Sequence, residues 1–267
     1  MHRWSKYVLN SESIGLYEQI FENLVIVDAH AHIGKDKDMH RMGPEKFIKQ
    51  MNTSRVDKAI VFPLNDPRDN QNFIIPNDII YKAYKKYPER LIPFFRLNPH
   101  THWKEETEKR ISQGFKGIKL HPRSQEFGLT FSKAMKIYEK AQDENLTVLV
   151  HTGFGLGNIS AQIKEITDTF SKLKLILGHS AFVDMENTIK KVGGKENVLF
   201  ETSTVKIFDL FELLERVDYH KIAFGSDLPY YDIDLALEMV IDSAVILKKT
   251  PNQIKHILGL NIMKWFK

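Results

Sequence analysis

Eight short apolar runs recur along this chain, at 25–29, 58–62, 91–96, 117–121, 147–151, 175–179, 198–201 and 222–225. They begin roughly 23 to 33 residues apart, the length of one strand plus one returning helix. Helical patterns fill the gaps. Met135, Ile137, Tyr138 and Ala141 share one face, and Leu235, Val240, Ala244 and Leu247 share another more loosely. Gly43-Pro44 and Thr250-Pro251 mark helix starts. No linker, low-complexity tract or shift of composition interrupts the repeat. The expectation is an α/β fold, a closed (β/α)₈ TIM barrel, as one domain over 1–267, and the chain's 267 residues suit it. An open, doubly wound sheet is the competing architecture. Residues 1–24 read as an N-terminal extension packing on the barrel. A helix over 10–23 would cover its bottom with Ile14, Leu16 and Ile20.

Composition narrows the chemistry. The chain has no cysteine, so a metal site must be built from histidine, carboxylate or modified lysine. Its 38 basic and 34 acidic residues are mixed along the sequence. Lys85-Lys86 and Lys248-Lys249 read as solvated helix faces, and no dense basic arm suggests nucleic acid. The first ten residues lack the apolar core of a signal peptide, and no apolar run approaches the roughly 20 residues of a membrane span. A soluble cytoplasmic protein acting on a small molecule is expected, with no nucleic-acid or membrane partner. Self-association stays open.

Buried parallel strands should be almost wholly apolar. Here the polar exceptions sit at their C-terminal ends. The first run continues as Asp28-Ala29-His30-Ala31-His32, and strand alternation would turn Asp28, His30 and His32 the same way. The fifth run ends in His151, the sixth in His179, and the eighth leads to Asp227. In a barrel these ends meet at one mouth, where catalysis is housed. Crowded imidazoles and a carboxylate would be costly there unless paired or bound to metal. His30, His32, His151 and Asp227 are the predicted ligands of a divalent ion, zinc first among them, with room left for water. The fourth run adds Lys119 and His121 on one face. Lys119 either pairs with a carboxylate or, as a carbamate, bridges two ions. His121 is a substrate contact or a rim residue. Arg123 and Arg96 could bind a substrate carboxylate, although an arginine at such a position is more often structural. Gly153-Phe154-Gly155-Leu156-Gly157 reads as a loop over the mouth, and Asn65-Asp66-Pro67-Arg68-Asp69 as a polar turn on its rim. His2, His40, His100, His102, His220 and His256 have no convergent partners.

Taken together, these residues resemble the amidohydrolase superfamily from about Val25 onward. Val27-Asp28-Ala29-His30-Ala31-His32, Gly225-Ser226-Asp227-Leu228-Pro229 and the ending Ile257-Leu258-Gly259-Leu260-Asn261-Ile262-Met263-Lys264-Trp265-Phe266 are similar to the branch that includes aminocarboxymuconate-semialdehyde decarboxylase and aromatic-acid decarboxylases. The resemblance implies a single metal on His30, His32, His151 and Asp227, with His179 as catalytic acid or base. One departure bears on the metal count. Lys119-Leu120-His121-Pro122 is similar to the segment where dihydroorotase-type members carry a carboxylated lysine and hold two ions. Nuclease relatives expect a carboxylate there, and none is present.

The expected activity is metal-dependent hydrolysis of a small amide, ester or lactone, with Asp227 and His179 as the catalytic pair. Non-oxidative decarboxylation on the same residues is the alternative. A non-catalytic metal- or ligand-binding barrel is the alternative of another class. Lys119, His121 and Arg123 are expected to touch substrate or support the residues that do.

Overall fold

A computed structural model describes residues 18–69 and 72–266. Nine strands form one sheet: β1 (Val27–Lys35), β2 (Arg41–Met42), β3 (Lys58–Pro63), β4 (Leu91–Arg96), β5 (Gly117–Leu120), β6 (Thr147–His151), β7 (Leu175–Gly178), β8 (Val198–Glu201) and β9 (Ile222–Ala223). β2 is a short antiparallel flap on β1, absent from the sequence expectation. The other eight pair in parallel in chain order. Three backbone bonds close the ring. Ala29 N–H donates to Phe224 O at 2.8 Å, Asp227 N–H to His30 O at 2.8 Å, and His32 N–H to Leu228 O at 2.8 Å. The sheet is therefore a barrel, and the open doubly wound alternative falls.

A helix follows each barrel strand: α1 (Pro44–Thr53), α2 (Ile74–Lys86), α3 (Lys104–Ser112), α4 (Ser132–Asp143), α5 (Ser160–Thr169), α6 (Met185–Val192), α7 (Ile207–Arg216) and α8 (Ile233–Ile246). Their apolar faces pack on the outside of the sheet. α1 starts at Pro44, whose missing N–H costs nothing at a helix start. α4 buries Ala134, Ile137, Tyr138 and Ala141. α8 buries Leu237, Val240, Ile241 and Ala244, whereas Leu235 is exposed, so the face differs from the expected one. No helix among the described residues is long and apolar enough to cross a membrane.

The barrel interior is a separate apolar cluster of Val27, Ala29, Ile60, Phe62, Ile92, Phe94, Leu149, Ile176, Leu199, Ala223 and Ile262. It is plugged by the C-terminus: Met263, Trp265 and Phe266 pack against it, and Phe266 meets Phe94 edge to face. The expected helix over 10–23 lies outside the described residues up to position 17, including Ile14 and Leu16. Residues 18–21 are helical. Ile20 is fully buried and belongs to the apolar cluster outside the barrel interior. His2 also lies outside the described residues.

Strand alternation explains why the mouth is polar. Ile92 and Phe94 point inward, so Arg96 does too; Leu149 places His151 inward, Leu199 places Glu201, and Gly117 places Lys119. The upper layer of the barrel is thus built from charged and imidazole side chains on the frame that supplies apolar ones below.

Candidate active site

β1 breaks its own alternation. Asp28 pairs with Ala59 and Ala31 pairs with Val61, so Ala29 and His30 together face Ile60 across a bulge. Val27 and Ala29 belong to the interior cluster, while Ala31 and Ile33 belong to the outer one. The extra residue turns His30 and His32 into the barrel and leaves Asp28 pointing out of it. The expectation that Asp28, His30 and His32 share one direction is corrected on this point. Asp28 instead fastens the turn that carries Asp227. Its Oδ1 accepts from Ser226 N at 3.0 Å and His30 N at 2.9 Å, and its Oδ2 from Ser226 Oγ at 2.6 Å.

The turn holds Asp227 at a positive φ of 63°, a conformation that aspartate tolerates better than most residues. Its Oδ1 lies 3.0 Å from His32 Nε2 and 3.3 Å from His30 Nε2. These three side chains converge closely enough to share one ion. Lys119 Nζ stands 3.2 Å from His30 Nε2 and over the Phe62 ring at 4.6 Å. Burial lowers the Lys119 pKa and raises that of Asp227, and each opposes the shift of the other. Burial likewise holds His30, His32, His121 and His179 well below the ordinary imidazole range, and pushes His151 down to about 3. The rings are neutral, and their lone pairs surround a carboxylate. Such a donor set suits a divalent cation, so the residues fit the metal that the sequence implies.

Sequence reasoning missed Glu201. It is fully buried, and its Oε2 lies 2.7 Å from His30 Nδ1. The same oxygen accepts from Ser203 Oγ at 2.8 Å and His179 N at 3.1 Å, while Oε1 accepts from Ser203 N. Lys119 Nζ donates toward His30 Nε2, so that nitrogen is the acceptor and His30 donates from Nδ1 to Glu201. Carboxylates behind histidines commonly orient metal ligands in this way. The available signal was a lone acid closing the apolar run Val198-Leu199-Phe200.

His179, Ser180 and Ala181 all adopt positive φ, between 51° and 67°. Such strain persists only where surroundings impose it. Glu201 Oε2 takes the His179 N–H, the Glu201 carbonyl takes Ser180 Oγ at 2.9 Å, and Thr152 Oγ1 takes the Ala181 N–H at 2.9 Å. His179 Nδ1 lies 3.1 Å from the Ser203 carbonyl, which can only accept, so Nδ1 carries the proton and Nε2 is an acceptor.

His151 stands apart from the convergent cluster. Its Nε2 lies 3.1 Å from the Phe154 carbonyl, and its ring stacks on His121 at 4.0 Å and meets His179 at 4.8 Å. Arg123 packs its stem against Gly155, where a Cβ would lie 2.2 Å from Arg123 Cδ. The glycine loop is thereby tied to the wall beside β5. Asp66 and Arg68 pair at 2.6 Å in the expected polar turn. Two further residues escaped the sequence reading: Tyr230, edge-on to His32, donates its hydroxyl to the buried Asp36. His30, His32, Arg96, Lys119, His121, Arg123, His151, His179 and Asp227 line one cavity of about 450 Å³.

A parallel barrel with imidazoles and a carboxylate gathered at its C-terminal mouth is the architecture of metal-dependent hydrolases and lyases. A family model described as Amidohydrolase matches residues 27–267. The chain belongs to the amidohydrolase family and is an enzyme. No curated protein sequence matches it. Among solved structures it is similar to 5-carboxyvanillate decarboxylase from Sphingomonas paucimobilis, at 12% identity and a TM-score of 0.66, covering 91% of this chain and 99% of that one. It is similar to a dihydroxybenzoic acid decarboxylase from Polaromonas sp. JS666 with bound manganese and the inhibitor 2-nitroresorcinol, at 18% identity and a TM-score of 0.67, covering 91% and 97%. It is also similar to a protein described as a probable 2-pyrone-4,6-dicarboxylic acid hydrolase from Acinetobacter baumannii with citric acid bound, at 16% identity and a TM-score of 0.66, covering 90% and 98%. At these identities the likeness is one of fold.

Proposed function

We propose that the protein is a metal-dependent hydrolase of a small amide, ester or lactone. The observation that carries this reading is the convergence of two neutral imidazoles, His30 and His32, on the Asp227 carboxylate at the cavity floor. These three would hold one divalent ion, zinc in this proposal. His151 is the fourth proposed ligand, and to join them it gives up its bond to the Phe154 carbonyl. A bound ion would polarise the substrate carbonyl and lower the pKa of water to about 7. Asp227 takes the proton of the attacking water and returns it to the leaving group. His179, with Nδ1–H fixed by the Ser203 carbonyl, orients that water through Nε2. This refines the role expected of it, since a neutral acceptor nitrogen cannot stabilise an oxyanion. Lys119 balances the charge of Asp227, which favours one ion over a carbamate-bridged pair. A cytoplasmic setting is part of the same proposal.

Decarboxylation is the second reading. It is favoured by the cations lining the cavity, Arg96, Lys119 and Arg123, and by the decarboxylases among similar structures. There the C–C bond breaks, CO₂ leaves, and protonated Asp227 supplies a proton to the carbon left behind. The deciding experiment is a panel of esters, lactones, amides and aromatic or unsaturated acids offered to the metal-loaded protein. Release of acid from an ester, lactone or amide supports hydrolysis, and CO₂ release supports the lyase. Inactivity on the whole panel with metal bound would refute both readings of the substrate.

A further inference from the structure

Among the described residues two arginines are fully buried, and they are treated in opposite ways. Arg110 on α3 is saturated. Its Nε donates to Glu106 Oε1 at 2.5 Å, Nη1 to Asp78 Oδ1 at 2.6 Å and Gln113 Oε1 at 2.9 Å, and Nη2 to the Ile74 carbonyl at 3.0 Å. Arg96, at the end of β4, lines the catalytic cavity and is 1% exposed. Its guanidinium has two long contacts, Nη1 to the Pro63 carbonyl at 3.4 Å and Nη2 to Ser124 Oγ at 3.3 Å. Among the described residues its Nε has no hydrogen-bond partner. Among the described residues, no carboxylate lies within ion-pairing distance of it. The nearby acids are engaged elsewhere, Asp36 by the Tyr230 hydroxyl and the Lys37 N–H and Asp69 by the Phe73 N–H.

We propose that Arg96 is the seat of a carboxylate on the substrate, so that this enzyme acts on a small organic acid anchored by its guanidinium. The proposal rests on the reading of the barrel mouth as the active site, and it holds whichever bond is broken there. A buried charge without a counter-ion is costly and is normally paired or neutralised. Burial lowers Arg96 only to about 10, so it remains a cation at neutral pH. No described carboxylate pairs with it, which leaves the guanidinium open to an anion from outside the chain. Placement is rigid. Asn77 clasps the Arg96 backbone from both sides, accepting its N–H at 2.8 Å and donating to its carbonyl at 3.0 Å. Phe73 lies against the guanidinium face at 4.4 Å, which leaves the planar edge to bind ligand. A planar fork of N–H donors matches the two oxygens of one carboxylate.

The test is calorimetric binding to the metal-loaded protein, which needs no turnover. The probes are glutarate, benzoate and citrate, the neutral analogues glutaramide and benzamide, and inorganic phosphate. At least one acid should bind at millimolar concentration or better, about tenfold or more tighter than its amide. Arg96→Gln should weaken that acid by about tenfold or more, leave the amide unchanged and retain its metal. Equal binding of acid and amide, wild-type affinity in Arg96→Gln, no binding by any acid, or tighter binding of phosphate would overturn the proposal. If Arg96→Gln does not fold, a crystal structure of the wild-type protein with the tightest acid decides. A carboxylate on the Arg96 guanidinium supports the assignment, and carboxylates found only elsewhere refute it. Failure of the hydrolase reading would appear separately, as Arg96-dependent binding without turnover.

Discussion

Replacing Glu201 by glutamine removes one charge and changes one atom, in a place where nothing can move aside. The carboxylate receives four hydrogen bonds, from His30 Nδ1, Ser203 Oγ, Ser203 N and His179 N. A Cβ on Gly225 would lie 2.0 Å from Glu201 Oε1, so the group is wedged against backbone. An amide keeps one acceptor oxygen and adds two donors. If its oxygen faces His30, its NH₂ confronts the Ser203 N–H. If it turns over, its NH₂ confronts His30 and drives the ring to the other tautomer, with the proton on the nitrogen that faces Asp227. Either way a buried donor is stranded, which costs roughly 1–3 kcal/mol of stability. The metal loses a well-oriented ligand, which by analogy with other residues that orient metal ligands lowers affinity about 10- to 100-fold, or about 1.4 to 2.7 kcal/mol. Chelator competition measures the second effect, and thermal unfolding of the metal-free protein the first. Wild-type metal affinity in a folded Glu201→Gln protein would show that the His30–Glu201 bond does not set the ligand.

Three further outcomes follow from the geometry. Asp227→Asn keeps size and one oxygen but loses basicity, and should lower turnover by roughly 10²-fold or more at matched metal content; near-normal rates would place the base elsewhere. His179→Asn should lower turnover without emptying a one-ion site, whereas loss of a second ion on elemental analysis would favour a Lys119-bridged pair. Gly259→Ala should destabilise the fold by about 1–3 kcal/mol or more, because its Cβ would lie 2.0 Å from the Val25 carbonyl where the C-terminal plug meets β1; an unchanged melting temperature would contradict that packing.

The barrel was legible because its strands are short apolar runs punctuated at their C-terminal ends. The same punctuation named His30, His32, His151, His179 and Asp227, all of which line the cavity. What escaped depends on features without a periodic signature. The bulge in β1 adds one residue, and alternation alone therefore assigned Asp28 to the wrong side. Glu201 looked like the end of a strand, since its importance lies in the atom behind His30 rather than in the mouth. The commitment of His151 to the Phe154 carbonyl depends on the path of a glycine loop, which no spacing predicts. The plug of Ile262, Trp265 and Phe266 is contributed by the far end of the chain, and no spacing announces it.

Metal content tests the central claim most directly. The wild-type protein, purified without chelators, should carry about one divalent ion per chain by elemental analysis, in keeping with a four-ligand catalytic site. The double variant His30→Ala/His32→Ala should stay folded and lose it. Full occupancy in that variant would contradict the site.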